Sequence, residues 1–133
     1  MHSMEKIAQA KLRNLRQSPR KVRLAASLIR GKRVDRALLE LGGLAKRASL
    51  PLKKLVKSAV ANAKNLNLNP EKLFVKEVAV NDGAILYRRR FRARGSTSPI
   101  RKRTSHVTIV LSEQEESQNR APSKKQQPIK TKS

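Results

Sequence analysis

The side chains with the clearest chemistry in this sequence are cations at close spacing. Between Gly83 and Ser112 stand Arg88, Arg89, Arg90, Arg92, Arg94, Arg101, Lys102 and Arg103, with no Asp or Glu among them. A guanidinium is a planar fork. It can hold two phosphate oxygens at once and lie flat on a base. All of these residues but Lys102 are arginine, a bias that favours structured RNA over simple charge attraction. A second acid-free stretch runs from Leu41 to Pro70 and includes Lys53, Lys54 and Lys57. A lysine face of that kind is usually only solvated. Here the missing counter-charges point to RNA.

Other chemistries find little support. There is no cysteine, so disulfides, thiolate metal sites and cysteine nucleophiles are excluded. His106 has only His2 as a second histidine, which is no metal cluster. Ser105 and His106 are adjacent on a predicted strand and point to opposite faces, so they are no nucleophile–base pair. Gly42-Gly43 is too short for a phosphate-binding loop. The residues suggest no enzyme, no cofactor and no metal. Aromatic residues are only 2% of the chain, so stacking on aromatic platforms cannot be the main binding mode. Phosphate contact and shape recognition are left.

The whole composition points the same way. Lys plus Arg number 32 and Asp plus Glu 9 in 133 residues, a formal net charge of +23. Such a body repels itself and is expected beside a polyanion, first of all nucleic acid. No stretch approaches the ~20 apolar residues of a membrane span. The start, Met1-His2-Ser3-Met4-Glu5, has no apolar signal core. A soluble intracellular protein is expected.

The elements that must position these cations can be read from apolar spacing. Lys6 to Leu15 reads as a strand. Ser18-Pro19 reads as a helix start, with the Ser18 side chain capping and Pro19 at the first helical position. Val22, Ala25, Ala26 and Ile29 form the stripe, and Gly31 the C-cap. Val34 to Leu41 reads as a short helix stopped by Gly42-Gly43. Ala45 to about Leu66 reads as the longest helix, with Leu52, Leu55, Val56, Ala59, Ala63 and Leu66 on one face. Pro51 must sit near its start or kink it. Asn62, on its polar edge, has three open readings: capping, packing or RNA contact. Leu73 to Val80 and His106 to Leu111 read as strands. Phe74, Val78 and Val80 are expected on one face of the first, and Val107, Ile109 and Leu111 on one side of the second.

Three helices and about three strands give an α+β class: helices packed on a small antiparallel sheet, with a long projecting β-hairpin. The predicted organisation is an N-terminal tail over 1–5, a domain over 6–112 that includes a hairpin at about 83–105, and a disordered polar and basic tail over 113–133. The core is small, so marginal stability away from a partner is expected. If the strands flanking the arginine-rich stretch pair antiparallel, the hairpin bends near Gly95, where glycine tolerates positive φ. Gly83 to Gly95 would then reach on the order of 40 Å at ~3.3 Å per residue. Two states stay open for it in the free protein. It is either a disordered basic loop or a probe that orders when phosphates neutralise it.

Three segments resemble a known family. They are Ser18-Pro19-Arg20-Lys21-Val22-Arg23-Leu24 with Leu28-Ile29-Arg30-Gly31-Lys32, then Ser58-Ala59-Val60-Ala61-Asn62-Ala63. The third is Arg92-Ala93-Arg94-Gly95 followed by Ile100-Arg101-Lys102-Arg103-Thr104-Ser105-His106-Val107-Thr108-Ile109-Val110. In this order, over about Ile7 to Ser112, they resemble the bacterial-type ribosomal large-subunit protein twenty-two family. The resemblance implies a non-catalytic protein that binds large-subunit rRNA, stabilises its folding and assembly, and lines the polypeptide exit tunnel with its hairpin. It implies neighbouring ribosomal proteins as partners, and the nascent polypeptide near the hairpin tip. It implies rRNA contacts at Ser18, Arg20, Lys21 and Arg23, and at Arg101, Lys102, Arg103, Thr104, Ser105 and His106. It puts the tip, Arg92, Ala93, Arg94, Gly95, Ser96, Thr97 and Ser98, by the tunnel wall. The implied place is a bacterial-type large subunit in the cytoplasm, with an organellar ribosome left open. Two positions depart from the pattern: Phe91 stands where Pro is usual, and Ser96 where a basic residue is.

Two other classes compete. A sequence-tolerant nucleic-acid chaperone or DNA-packaging protein needs only the charge. A cationic membrane-surface protein needs an apolar face with large aromatics beside the cations, which this sequence lacks.

Overall fold

Strand alternation is cleanest in the last element, and the sheet is built around it. The structure is a computed structural model and describes residues 5–113. Its elements are β1 (Ile7–Leu15), α1 (Pro19–Ile29), α2 (Val34–Gly43), α3 (Ser49–Asn65), β2 (Leu73–Asp82), β3 (Leu86–Phe91), β4 (Thr97–Lys102) and β5 (Ser105–Glu113). β5 lies between β1 and β2 and is antiparallel to both. Val107, Ile109 and Leu111 of β5 are buried, as their period of two predicts.

All three helices cover the face those residues point to. α3 packs on β1 and β5, α1 on β2, and α2 on its two helical neighbours. The helical stripes are buried: Val22, Ala25, Ala26 and Ile29 from α1, and Leu52, Leu55, Val56, Ala59 and Ala63 from α3; Leu66, expected on the same face, caps the helix and is exposed. The small residues let helix backbones approach the sheet closely. The opposite sheet face carries no helix.

Several local expectations need correction. Ser18 does not cap α1 with its side chain; only its carbonyl serves, accepting from Val22 N at 3.1 Å. Gly42 and Gly43 do not stop α2 but form its last turn, and Leu44 follows as the cap. α3 begins at Ser49 rather than Ala45, after a turn in which Ser49 N donates to Lys46 O. Pro51 therefore falls in the first turn, where backbone N–H groups have no helical partner to lose.

The largest correction is in β2. A bulge at Lys76 shifts the register between Val75 and Glu77, so the core face reads Leu73, Val75, Val78, Val80. Phe74, expected beside Val78, is half-buried and lies outside this core. The outer edge of β2 is also covered. Gly31 N donates to Val75 O, and Val75 N donates to Lys32 O, both at 2.9 Å. Covering an edge this way blocks it from pairing with another chain.

Both chain ends modify the expected boundaries. Glu5, expected in a tail, pairs with Lys76. Glu113 closes β5, opposite Leu73. The rest of the tail expected over 113–133 lies outside the described residues.

A candidate RNA interface on the hairpin and the body

β2 and β5 do not stop at the domain edge. Their pairing runs to Asp82 opposite Ser105, breaks, and resumes as β3 and β4 from Leu86 opposite Lys102. The break is a joint. Gly83 N donates to Thr104 O at 2.9 Å, and Thr104 Oγ1 donates to Ala84 O at 2.6 Å. A Cβ on Gly83 would lie 2.4 Å from Thr104 Oγ1, so only glycine fits. In the structure the residue is the root of the hairpin.

The far end is a tight turn. Arg94 at φ 60° and Gly95 at φ 70° both take the left-handed region, so the bend falls where expected but is shared by two residues. Arg92 N donates to Ser96 O at 2.8 Å, and Ser96 Oγ donates to Ala93 O at 2.8 Å. Arg92 Nε donates to Ser98 Oγ at 2.9 Å and ties the two strands beside the turn. The tip residues Arg92 to Thr97 are exposed and Ser98 is half-buried.

Between joint and turn, every residue of β3 is exposed. Among the described residues, no hairpin cation has a carboxylate within ion-pair distance. Arg88, Arg89, Arg90, Arg101, Lys102 and Arg103 all stand in solvent. The hairpin is thus a strip of unneutralised positive charge held out from the domain by two strands.

The body cations are placed differently. Arg20 and Lys21 are exposed at the start of α1. Arg23 instead donates to Val80 O at 3.1 Å and lies 3.5 Å from Asp82. Arg30 likewise donates to Val78 O at 2.8 Å. These two arginines satisfy outward carbonyls of β2 and complete the cover of its edge. On α3, Lys54 and Lys57 are exposed and Lys53 is half-buried. Ser18 is half-buried.

Thr104 and Ser105 are turned into the protein, at 5% and 0% exposure. Thr104 braces the joint. Ser105 Oγ has no hydrogen-bond partner among the described residues. The Thr104 side chain serves the hairpin's root, and both side chains are covered by the protein itself. His106 is half-buried on the helix-free face, and its Nδ1 accepts from Asn14 N at 3.1 Å. Asn14 sits at φ 56°, in the bulge that breaks the β1–β5 register. Asn62 takes the packing role, donating to Gln9 O at 2.9 Å and tying α3 to β1.

Sequence reasoning passed over Lys11 and Arg13. Together with Asn14, His106 and Thr108 they line a shallow groove on the helix-free face. Their alternation along β1 was the available signal: Ala8 and Ala10 point inward, Lys11 and Arg13 do not. The titration of the Glu40 carboxyl is displaced. Its hydrogen bond from Lys32, and more weakly that from Arg36, hold it below the ordinary carboxylate value. Among the described residues there is no cluster of His, Cys, Asp or Glu able to hold a metal, and no helix long and apolar enough to cross a membrane.

Comparison with known proteins gives one consistent answer. The family described as ribosomal protein L22p/L17e matches residues 10–112. The chain is 52% identical over 107 residues to large ribosomal subunit protein uL22 of Lactobacillus delbrueckii subsp. bulgaricus, covering 80% of this chain and 92% of that protein. It is 49% identical over 110 residues to the uL22 of Pediococcus pentosaceus, covering 82% and 93%. With the uL22 of Mesoplasma florum it shares 51% over 108 residues, covering 80% and 96%.

Proposed function

The chain belongs to the ribosomal protein L22p/L17e family, and on that footing we propose that it is a structural constituent of the large ribosomal subunit. It binds large-subunit rRNA, supports folding and assembly of that RNA, and lines the polypeptide exit tunnel with the β3–β4 hairpin. It is not an enzyme. Its partners are rRNA and neighbouring ribosomal proteins, and it acts on the ribosome in the cytoplasm.

The observation that carries this reading is the hairpin: exposed along β3, free of acids, and joined to the sheet through Gly83 and Thr104. A strip of unpaired guanidinium groups repels itself and is stabilised where phosphates supply the missing charge. Within this reading, Arg88, Arg89, Arg90, Arg92, Arg94, Arg101, Lys102 and Arg103 grip rRNA along the hairpin. Arg20, Lys21, Arg23, Lys54 and Lys57 do so from the body, and Lys53, Ser18 and His106 contribute from half-covered positions. The turn from Arg92 to Ser98 faces the nascent polypeptide.

The test is co-sedimentation of the tagged chain with large subunits through a high-salt cushion. Retention is expected, together with steeply salt-dependent affinity for purified large-subunit rRNA. Release at high salt, with equal binding to duplex DNA, would indicate a nucleic-acid chaperone instead.

A further inference from the structure

The two faces of the hairpin are not equivalent. Strand pairing sets Tyr87 opposite Arg101, Arg89 opposite Pro99 and Phe91 opposite Thr97. The alternate pairs are Leu86 with Lys102, Arg88 with Ile100 and Arg90 with Ser98. Residues two apart on a strand share a face, so Tyr87, Arg89 and Phe91 form one row and Leu86, Arg88 and Arg90 the other. With one Tyr, two Phe and no Trp in the chain, the first row holds every aromatic side chain except Phe74. Both rings are open to solvent, Tyr87 at 63% and Phe91 at 83% exposure.

We propose that the Tyr87–Arg89–Phe91 row is a base-stacking surface that takes unpaired nucleobases of RNA, while the Arg88–Arg90 row grips phosphates. The proposal deepens the RNA-binding reading above and rests on it. Side chains two apart on a strand stand roughly 6.6 Å from one another. That is about two base-stacking steps of ~3.4 Å each. One flat base can therefore enter between Tyr87 and Arg89, and a second between Arg89 and Phe91. Rings and guanidinium planes both accept a base face. The charge pattern selects the occupant. An apolar peptide covering this row would bury Arg89 and Arg101 without counter-charges, which is costly. A nucleotide brings its own phosphate. The low aromatic content of the whole chain still excludes stacking as the main source of affinity; this row is a local subsite within a phosphate-gripping hairpin.

Tyr87 makes the test direct, because it is the only Tyr and there is no Trp. All intrinsic emission above the weak Phe background comes from the proposed site. The full-length chain is titrated with single-stranded oligoadenylate and, separately, with inorganic polyphosphate of matched charge. Oligoadenylate is expected to quench Tyr87, and polyphosphate to bind without comparable quenching. Phe91→Leu, at an exposed position that leaves the fold intact, is expected to weaken oligoadenylate binding roughly tenfold with an unchanged salt slope. Arg88→Gln, on the other face, is expected to lower that slope by about 0.7 and keep the quenching. Equal quenching by polyphosphate, or unchanged affinity in Phe91→Leu, overturns the proposal. So does an uncharged apolar peptide that quenches Tyr87 more strongly than oligoadenylate. Binding of the same chain to large-subunit rRNA is measured alongside. If that binding persists, only the stacking row has failed; if it is absent, the broader reading has failed.

Discussion

Arg30 and Arg88 are the same side chain in opposite circumstances. Arg30 reaches from α1 to a carbonyl of β2 and helps close the sheet edge. Arg88 stands on an exposed strand, among cations, with no carboxylate near it. Arg23, Arg30 and Arg36 of the body act as fasteners, bonded to β2 carbonyls or set beside Asp82 and Glu40. The hairpin holds its arginines in reserve for an external partner. Charge therefore serves stability at Arg23 and Arg30 and binding along the hairpin, and a substitution of the same kind should be read out in different quantities.

That contrast can be broken by experiment, most strongly in the hairpin. Replacing Arg88, Arg89 and Arg90 together by Ala should weaken rRNA binding on the order of a hundredfold and lower the salt slope by about 2 to 3. Thermal unfolding of the body should shift by no more than about 0.5 kcal/mol equivalent. A large loss of body stability would show that the hairpin is part of the core. Next in size is Gly83→Ala. Its new methyl would meet Thr104 Oγ1 at 2.4 Å, so the joint must open, at about 1–3 kcal/mol. Amide exchange should speed up at Gly83, whose N–H is held by Thr104 O, while β5 around Ile109 stays protected.

In the body, Arg30→Met keeps much of the apolar stem but leaves Val78 O without its partner. A destabilisation of about 1–2 kcal/mol is expected, with little change in the salt slope of RNA binding. Equal loss of slope would erase the distinction between the two regions. Arg94→Gly should stabilise the turn by up to about 1 kcal/mol, because glycine takes φ near 60° without strain. The measurement is protection of the Arg92 amide, which donates across that turn. The smallest effect concerns Glu40. Its carboxyl is held below the usual value in the folded state, so its contribution is present above the unfolded-state pKa and lost as pH falls through the folded one. Unfolding from neutral to acid pH should therefore be slightly less pH-dependent in Glu40→Gln.

Much of this architecture is legible in the sequence. The α1 stripe, the alternation of β5 and the bend by Gly95 follow from spacing alone, because each depends on residues close together in the chain. The bulges at Lys76 and at Asn14 do not. A bulge is set by what the partner strand presents, and no period in one strand records it. The same limit applies to the site. Acid-free stretches mark the hairpin and the lysine face, yet a cation used internally looks identical to one left free. Arg23 differs from Arg20 only through Val80 and Asp82, many residues away. Thr104 and Ser105 sit in a basic motif yet turn inward, Thr104 to brace the joint. Lys11 and Arg13 were hidden in a strand whose outer face looked merely polar.

The joint at Gly83 and Thr104 also sets a mechanical tolerance. A hairpin is a lever, and its root is the fulcrum. A tilt of about 5° there carries a tip about 40 Å away through roughly 3.5 Å, close to one base step. One glycine hydrogen and one threonine hydroxyl thus govern the aim of a tip whose own residues have no say in it.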